Sequence, residues 1–185
     1  EPITDALKKC PTLRTFQPDH KYYHECSHRM LTLLEGYSPD IRPYSIDECF
    51  MTYVPFKNGG ETPQNAAEHI RKRIQSELGF TVNIGISTNK LLAKMASDFK
   101  KPNLVHTLFP EEVPQKMWPL PVRDLFMVGR SSARTLELLG IKTIGDLAHT
   151  GPSILTSHLK THGQTIWEYA NGLEYTPIDA RRHVA

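Results

Sequence analysis

Residues 41–54 constrain this chain more than any other stretch. They are β-forming almost throughout, yet they hold two adjacent carboxylates in Tyr44-Ser45-Ile46-Asp47-Glu48-Cys49-Phe50-Met51. Neighbouring side chains on a strand point to opposite faces. Asp47 and Glu48 can share a task only if the chain reverses or bulges between them. Ser45-Ile46-Asp47-Glu48 reads as such a reversal, joining a strand over 41–46 to an antiparallel partner over 49–54. Two acids at the tip of a hairpin repel unless a cation lies between them. The hard divalent cation for oxygen ligands is Mg²⁺, which takes one or two carboxylates and completes its shell with water and phosphate. A plain solvated turn is the alternative, and residue types alone leave both readings open.

The rest of the chain must supply a core and a compartment for such chemistry. Its 185 residues suit one medium domain or two small ones, and a hydrophobic fraction of 39% can build a core. A formal charge of +2 and a pI near 8.4 permit a nucleic-acid partner without requiring one. Cys10, Cys26 and Cys49 are odd in number and lack Cys-x-x-Cys spacing, which argues against a disulfide framework or a zinc site. No apolar run is long enough to span a bilayer, and no signal-peptide pattern opens the chain. A cytoplasmic protein without membrane partners is therefore expected. Glu1 in place of an initiator Met points to a fragment or a processed chain.

Taken in order, residues 1–18 are a lead punctuated by Pro2, Pro11 and Pro18. Asp19 opens a helix carrying Tyr23, Cys26, Met30, Leu33 and Leu34 up to Gly36. His20, His24 and His28 share one face of it; with no carboxylate or thiolate on that ridge, a solvated face is favoured over a metal site. Asn58-Gly59-Gly60 reads as a loop. Thr62-Pro63 reads as a cap followed by proline at the first helical position, and Ala66, Ala67, Ile70, Ile74 and Leu78 form a stripe closed by Gly79. Phe80, Val82, Ile84 and Ile86 alternate as a strand. Ser87, Thr88 and Asn89 then cap a helix bearing Lys90, Leu91, Lys94 and Met95. A lysine in the first turn opposes the helix dipole, so Lys90 asks for an anion to meet, a plain surface lysine being the alternative. A strand over 105–109 follows, and Pro110-Glu111-Glu112 starts another helix. The order predicts an α+β layer with helices on one face of a largely antiparallel sheet. After Trp118-Pro119-Leu120-Pro121 only short helices are expected. Met127-Val128-Gly129 reads as the turn of a helix–hairpin–helix whose second helix covers 131–139. Its amides, with Arg130 and Arg134, would cradle phosphate; an ordinary helical hairpin is the alternative. Thr143 caps a further helix, the last helix covers 164–171 with Gly172 as its stop, and a linker follows Pro177.

Three stretches together resemble the Y-family (translesion) DNA polymerases, closest to their UmuC-like ImpB/MucB/SamB branch. They are Ser45-Ile46-Asp47-Glu48; Gly85-Ile86-Ser87-Thr88-Asn89-Lys90-Leu91-Leu92-Ala93-Lys94-Met95-Ala96-Ser97-Asp98 with Lys100-Lys101-Pro102-Asn103; and Leu120-Pro121-Val122-Arg123-Asp124-Leu125-Phe126-Met127-Val128-Gly129. The resemblance implies a polymerase palm over 1–110, lacking its first strand and the fingers. It implies a small all-helical thumb over 111–175 and a linker over 176–185 toward a little-finger domain. It implies template-directed nucleotidyl transfer with two Mg²⁺ ions, Asp47 and Glu48 being catalytic and metal-binding. Lys90 would meet the triphosphate of the deoxynucleoside triphosphate. Gly129, Arg130, Ser131 and Arg134 would hold primer–template DNA, although Met127 stands where the family more often has glycine. The family's first metal-binding aspartate is not among these residues, so the chain alone is expected to fold but not to catalyse. A sliding clamp or recombinase would engage regions outside it. A nucleotidyl cyclase also sets carboxylates on a palm-like hairpin but has no need of the helices after Pro121. A non-catalytic DNA-binding module is the other alternative.

Overall fold

Local signals place most of the helices. The computed structural model describes residues 1–55 and 60–178. A short helix α1 (Ile3–Lys9), which buries none of its residues, precedes α2 (His20–Glu35). The Asp19 carboxylate caps α2 by accepting the Tyr22 N–H at 3.0 Å, and Met30 and Leu34 are its buried contribution. Thr62 caps α3 (Pro63–Arg73) through the Asn65 N–H at 3.2 Å. That helix widens into a π turn, Ile74–Leu78, and stops at Gly79, whose φ of +80° suits a residue without Cβ. Asn58 and Gly59 of the expected loop lie outside the described residues, as does the linker from 179 onward.

The hairpin forms where the sequence put it, but its strands are short. β1 (Ile41–Pro43) and β2 (Cys49–Met51) pair antiparallel, with Ile41 opposite Met51 and Pro43 opposite Cys49. The ladder ends there because the Tyr44 and Ser45 N–H groups both turn to the Glu48 carbonyl, at 2.8 and 3.1 Å. The expected strand over 80–86 is ordered as β3 (Ile84–Ile86) alone, and it pairs parallel with β4 (Val105–Thr107). The α+β class holds, but the single, largely antiparallel sheet is corrected to two two-stranded sheets among the described residues, one antiparallel and one parallel. The cause is α4 (Lys90–Ser97), a crossover helix that returns the chain to run alongside β3. Gly85 lets that helix sit on the strand: a Cβ there would lie 1.9 Å from the Ala93 carbonyl oxygen.

Beyond β4 the chain is helical, as expected. A 3₁₀ turn (Pro110–Glu112) leads into α5 (Val113–Lys116), and a second one (Val122–Asp124) precedes α6 (Arg130–Leu138). Thr143 opens α7 (Ile144–His149) with a reciprocal box. Its hydroxyl accepts the Asp146 N–H at 3.0 Å, while Asp146 accepts the Thr143 N–H at 2.8 Å. The last helix, α8 (Pro152–Ala170), starts well before the expected residue 164 and bends at Lys160, where φ is +58°. The bend brings Gly163 against the Leu155 carbonyl, at a spot where a Cβ would approach that oxygen to 2.4 Å.

Two clusters hold these parts together. Met30, Leu34, Ile70 and Ile74 form the smaller one, flanked by Ile41, Cys49, Met51 and Ile84. The larger runs from Leu91, Leu92 and Met95 of α4 to Ile166 and Ala170 of α8. α4 thus lays its backbone on β3 and its apolar face on the helices, which fixes the height of its polar side chains relative to both.

Candidate functional site

The hairpin tip presents its two acids differently. Asp47 is exposed, and its Oδ1 accepts the Ser45 hydroxyl at 2.7 Å. Glu48, with 37% of its side chain exposed, is drawn to α4, where its Oε1 lies 2.5 Å from Lys94 Nζ. Lys94 also reaches Asp98 at 3.0 Å, and Asp98 meets Lys101 at 2.7 Å. Four charges therefore alternate in sign from the hairpin tip, through Lys94 on α4, to Asp98 and Lys101 at and beyond its C-terminal end. Burial would lower the Lys94 pKa, but hydrogen bonds to Glu48 and Asp98 outweigh it and leave the ammonium above its ordinary value. Burial likewise works to raise Asp98, and the hydrogen bonds from Lys101 and Lys94 overcome it, holding the carboxyl below its usual range. Sequence reasoning set Lys94 on the right helix but missed this pairing, because nothing local connects residues 46 positions apart.

Lys90 lies one turn earlier on α4, about 6 Å along the axis and on the same side as Lys94. Asn89 caps the helix through the Leu92 N–H at 2.8 Å. The Lys90 ammonium is engaged by the segment after α8. Lys90 Nζ donates to the Thr176 hydroxyl at 2.6 Å and to the Pro177 carbonyl at 3.3 Å, and lies 3.6 Å from Glu174 Oε1. Glu174 is 8% exposed, with Oε1 on the Thr176 N–H and hydroxyl, and its Oε2 is buried without a hydrogen bond. Asn89 Nδ2 donates to the Gly172 carbonyl at 2.9 Å, fastening the start of that segment to the same helix end.

An aromatic run ties the tip to the helical part. Tyr44 meets Phe50 edge-on at 5.8 Å and Phe126 at 6.0 Å, and Phe126 stacks on Tyr169 at 6.3 Å. Immediately after Phe126, Met127 adopts φ +71°, the conformation a glycine would take without strain. The turn nonetheless closes, with the Val128 N–H on the Leu125 carbonyl at 2.9 Å. Gly129, Arg130, Ser131 and Arg134 are all exposed at the start of α6, and all but Ser131 border a shallow concavity with Arg123, Asp124 and Glu137.

The donor set at the tip suits a hard cation. Asp47 and Glu48 offer carboxylate oxygens reachable from solvent, and one oxygen of each takes no hydrogen bond from the described residues. Among the described residues no third His, Cys, Asp or Glu joins them to form a group of three. His20, His24 and His28 sit exposed on α2, and they form no such group either. Cys49 packs against the smaller cluster, where burial pushes its thiol up to about 11.

Hairpin, crossover helix and helical region together define a class. Residues 1–98 match the sequence profile of the impB/mucB/samB family, and residues 110–141 match that of the IMS family HHH motif. The chain belongs to the impB/mucB/samB family, within the Y-family DNA polymerases. Among curated proteins it is 49% identical over 182 residues to DNA polymerase IV of Clostridium acetobutylicum, covering 98% of this chain and 46% of that protein. It is 38% identical to DNA polymerase IV 1 of Bacillus subtilis, covering 98% and 44%. Among solved structures it is similar to DinB from Sulfolobus solfataricus, with a TM-score of 0.85 at 26% identity over 97% of this chain and 53% of that one. It is also similar to an insertion ternary complex of Dbh DNA polymerase, with a TM-score of 0.82 at 26% identity over 96% and 52%. The chain spans about half the length of these relatives.

Proposed function

We propose that this chain is the nucleotidyl-transfer and duplex-holding part of a translesion DNA-directed DNA polymerase that acts in damage tolerance in the bacterial cytoplasm. The observation that carries the reading is the pair Asp47 and Glu48 at a hairpin tip, with Glu48 tied by Lys94 to the helix that also bears Lys90. In this reading residues 1–110 are palm, 111–175 thumb and 176–185 the linker onward. The compartment is in keeping with bacterial relatives and with a described chain in which no helix is long and apolar enough to cross a membrane.

Asp47 and Glu48 would hold Mg²⁺, which when bound lowers the pKa of the primer 3′-hydroxyl and steadies the departing pyrophosphate. Glu48 is the better placed to orient, because Lys94 holds one of its oxygens and the other takes no hydrogen bond from the described residues. Lys90 supplies an ammonium for phosphates of the deoxynucleoside triphosphate, exchanging Thr176 and Glu174 for them. Gly129, Arg130, Ser131 and Arg134 offer amides and charge to the primer–template backbone, giving binding without sequence preference that weakens with salt. The helical region and its HHH match favour this reading over a cyclase.

With no third acid grouped with Asp47 and Glu48 among the described residues, this chain by itself is expected to add no nucleotides to a primed template in Mg²⁺. A longer form that supplies a further carboxylate does. Extension by the 185-residue chain alone would show that the two acids suffice and that this assignment is incomplete.

A further inference from the structure

Lys94 serves two carboxylates at once, and they come from different elements. Asp98 lies four residues on along α4, so the two stay neighbours whatever the hairpin does. Glu48 belongs to the hairpin tip and meets Lys94 only because the tip rests against the helix. The ammonium is enclosed, with 15% of the side chain exposed, whereas Asp98 is 43% exposed and has Lys101 as a second partner. A divalent cation arriving at Glu48 would find a positive charge already on Oε1. Two cations on one carboxylate repel, and the ammonium has another acceptor within 3.0 Å.

Building on the assignment of Asp47 and Glu48 as metal ligands, we propose that Lys94 is a resident counter-ion and positioning residue for Glu48. It holds the carboxylate in place before the metal arrives and passes to Asp98 when the metal binds. No covalent bond changes, and the ammonium keeps its proton while exchanging one acceptor for the other. Asp98 is thus the receiving site, and Lys101 keeps it from being left as an unbalanced charge while Lys94 is shared.

The two partners should act with opposite sign. Asp98→Asn removes the receiving charge, so Lys94 remains on Glu48 and competes with the metal. Lys94→Met removes the competitor. Free Mn²⁺ is counted by electron paramagnetic resonance in titrations of the whole 185-residue chain. Wild type should bind at a site that Asp47→Asn abolishes. Asp98→Asn should weaken that binding by about threefold to tenfold, and Lys94→Met should tighten it by a similar factor, the range expected of a half-exposed ion pair. Thermal midpoints without metal report folding separately. Weakened binding in both variants, with lowered midpoints, would mean that Lys94 and Asp98 only brace the fold, and would overturn the proposal. Unchanged binding in both would overturn it as well. Mn²⁺ binding that survives Asp47→Asn, or no binding by wild type, would instead remove the metal assignment and the proposal with it.

Discussion

A single missing Cβ sets the geometry of the site. Gly85 is needed for space and not for its dihedral angles, since α4 crosses β3 with the Ala93 carbonyl and the Ser97 amide where a side chain would stand. Gly85→Ala must push the helix off the strand, moving Lys90 and Lys94 together. We expect a loss of about 3 kcal/mol or more, as for overpacked positions whose neighbours are backbone. A urea midpoint within experimental error of wild type would contradict it. Neighbouring roles were unevenly legible at this scale. The acids at 47 and 48 stood out because carboxylates are rare in a β-forming run, and Lys90 because it opposes a helix dipole. Lys94, Glu174 and Tyr44 gave no such signal. Each looks ordinary among its neighbours and matters through a partner far along the chain.

Among elements, caps were read correctly because they depend on three or four residues. Asp19, Thr62, Asn89 and Thr143 each accept the expected backbone N–H. Strand pairing was read less well, because the direction of β4 is decided by where α4 returns the chain and not by the composition of residues 105–107. The bend at Lys160 was hidden for a similar reason: it goes with the close approach of Gly163 to the Leu155 carbonyl, a contact that no local motif marks. The box at the start of α7 yields a pH prediction. Backbone hydrogen bonds from Thr143 and Lys142 and the Thr143 hydroxyl hold the Asp146 carboxyl below its ordinary 3.8. A depressed carboxylate pKa stabilises the fold above the unfolded value, and that contribution fades as pH falls through the folded one. Asp146→Asn should therefore lower the urea midpoint at pH 7 and shrink the difference from wild type at pH 2 to 3. Thr143→Ala should cost about 1 kcal/mol. Equal differences at both pH values would contradict the assigned role.

Over the whole molecule, the hairpin, α4 and the segment after α8 meet through contacts spanning 46 and 86 positions. Motif spacing alone cannot reveal such contacts, and only the family resemblance hinted that these stretches work together. The resulting arrangement places a carboxylate pair and two lysines of one helix beside the helical region that we propose holds duplex backbone. In the proposed function Asp47 and Glu48 carry nucleotidyl transfer. The most direct measurement is the single-turnover rate of primer extension by a full-length form carrying Asp47→Asn, with duplex binding measured alongside. We expect the rate to fall by about a hundredfold or more while the duplex affinity stays unchanged. A rate within a few-fold of wild type would contradict the account.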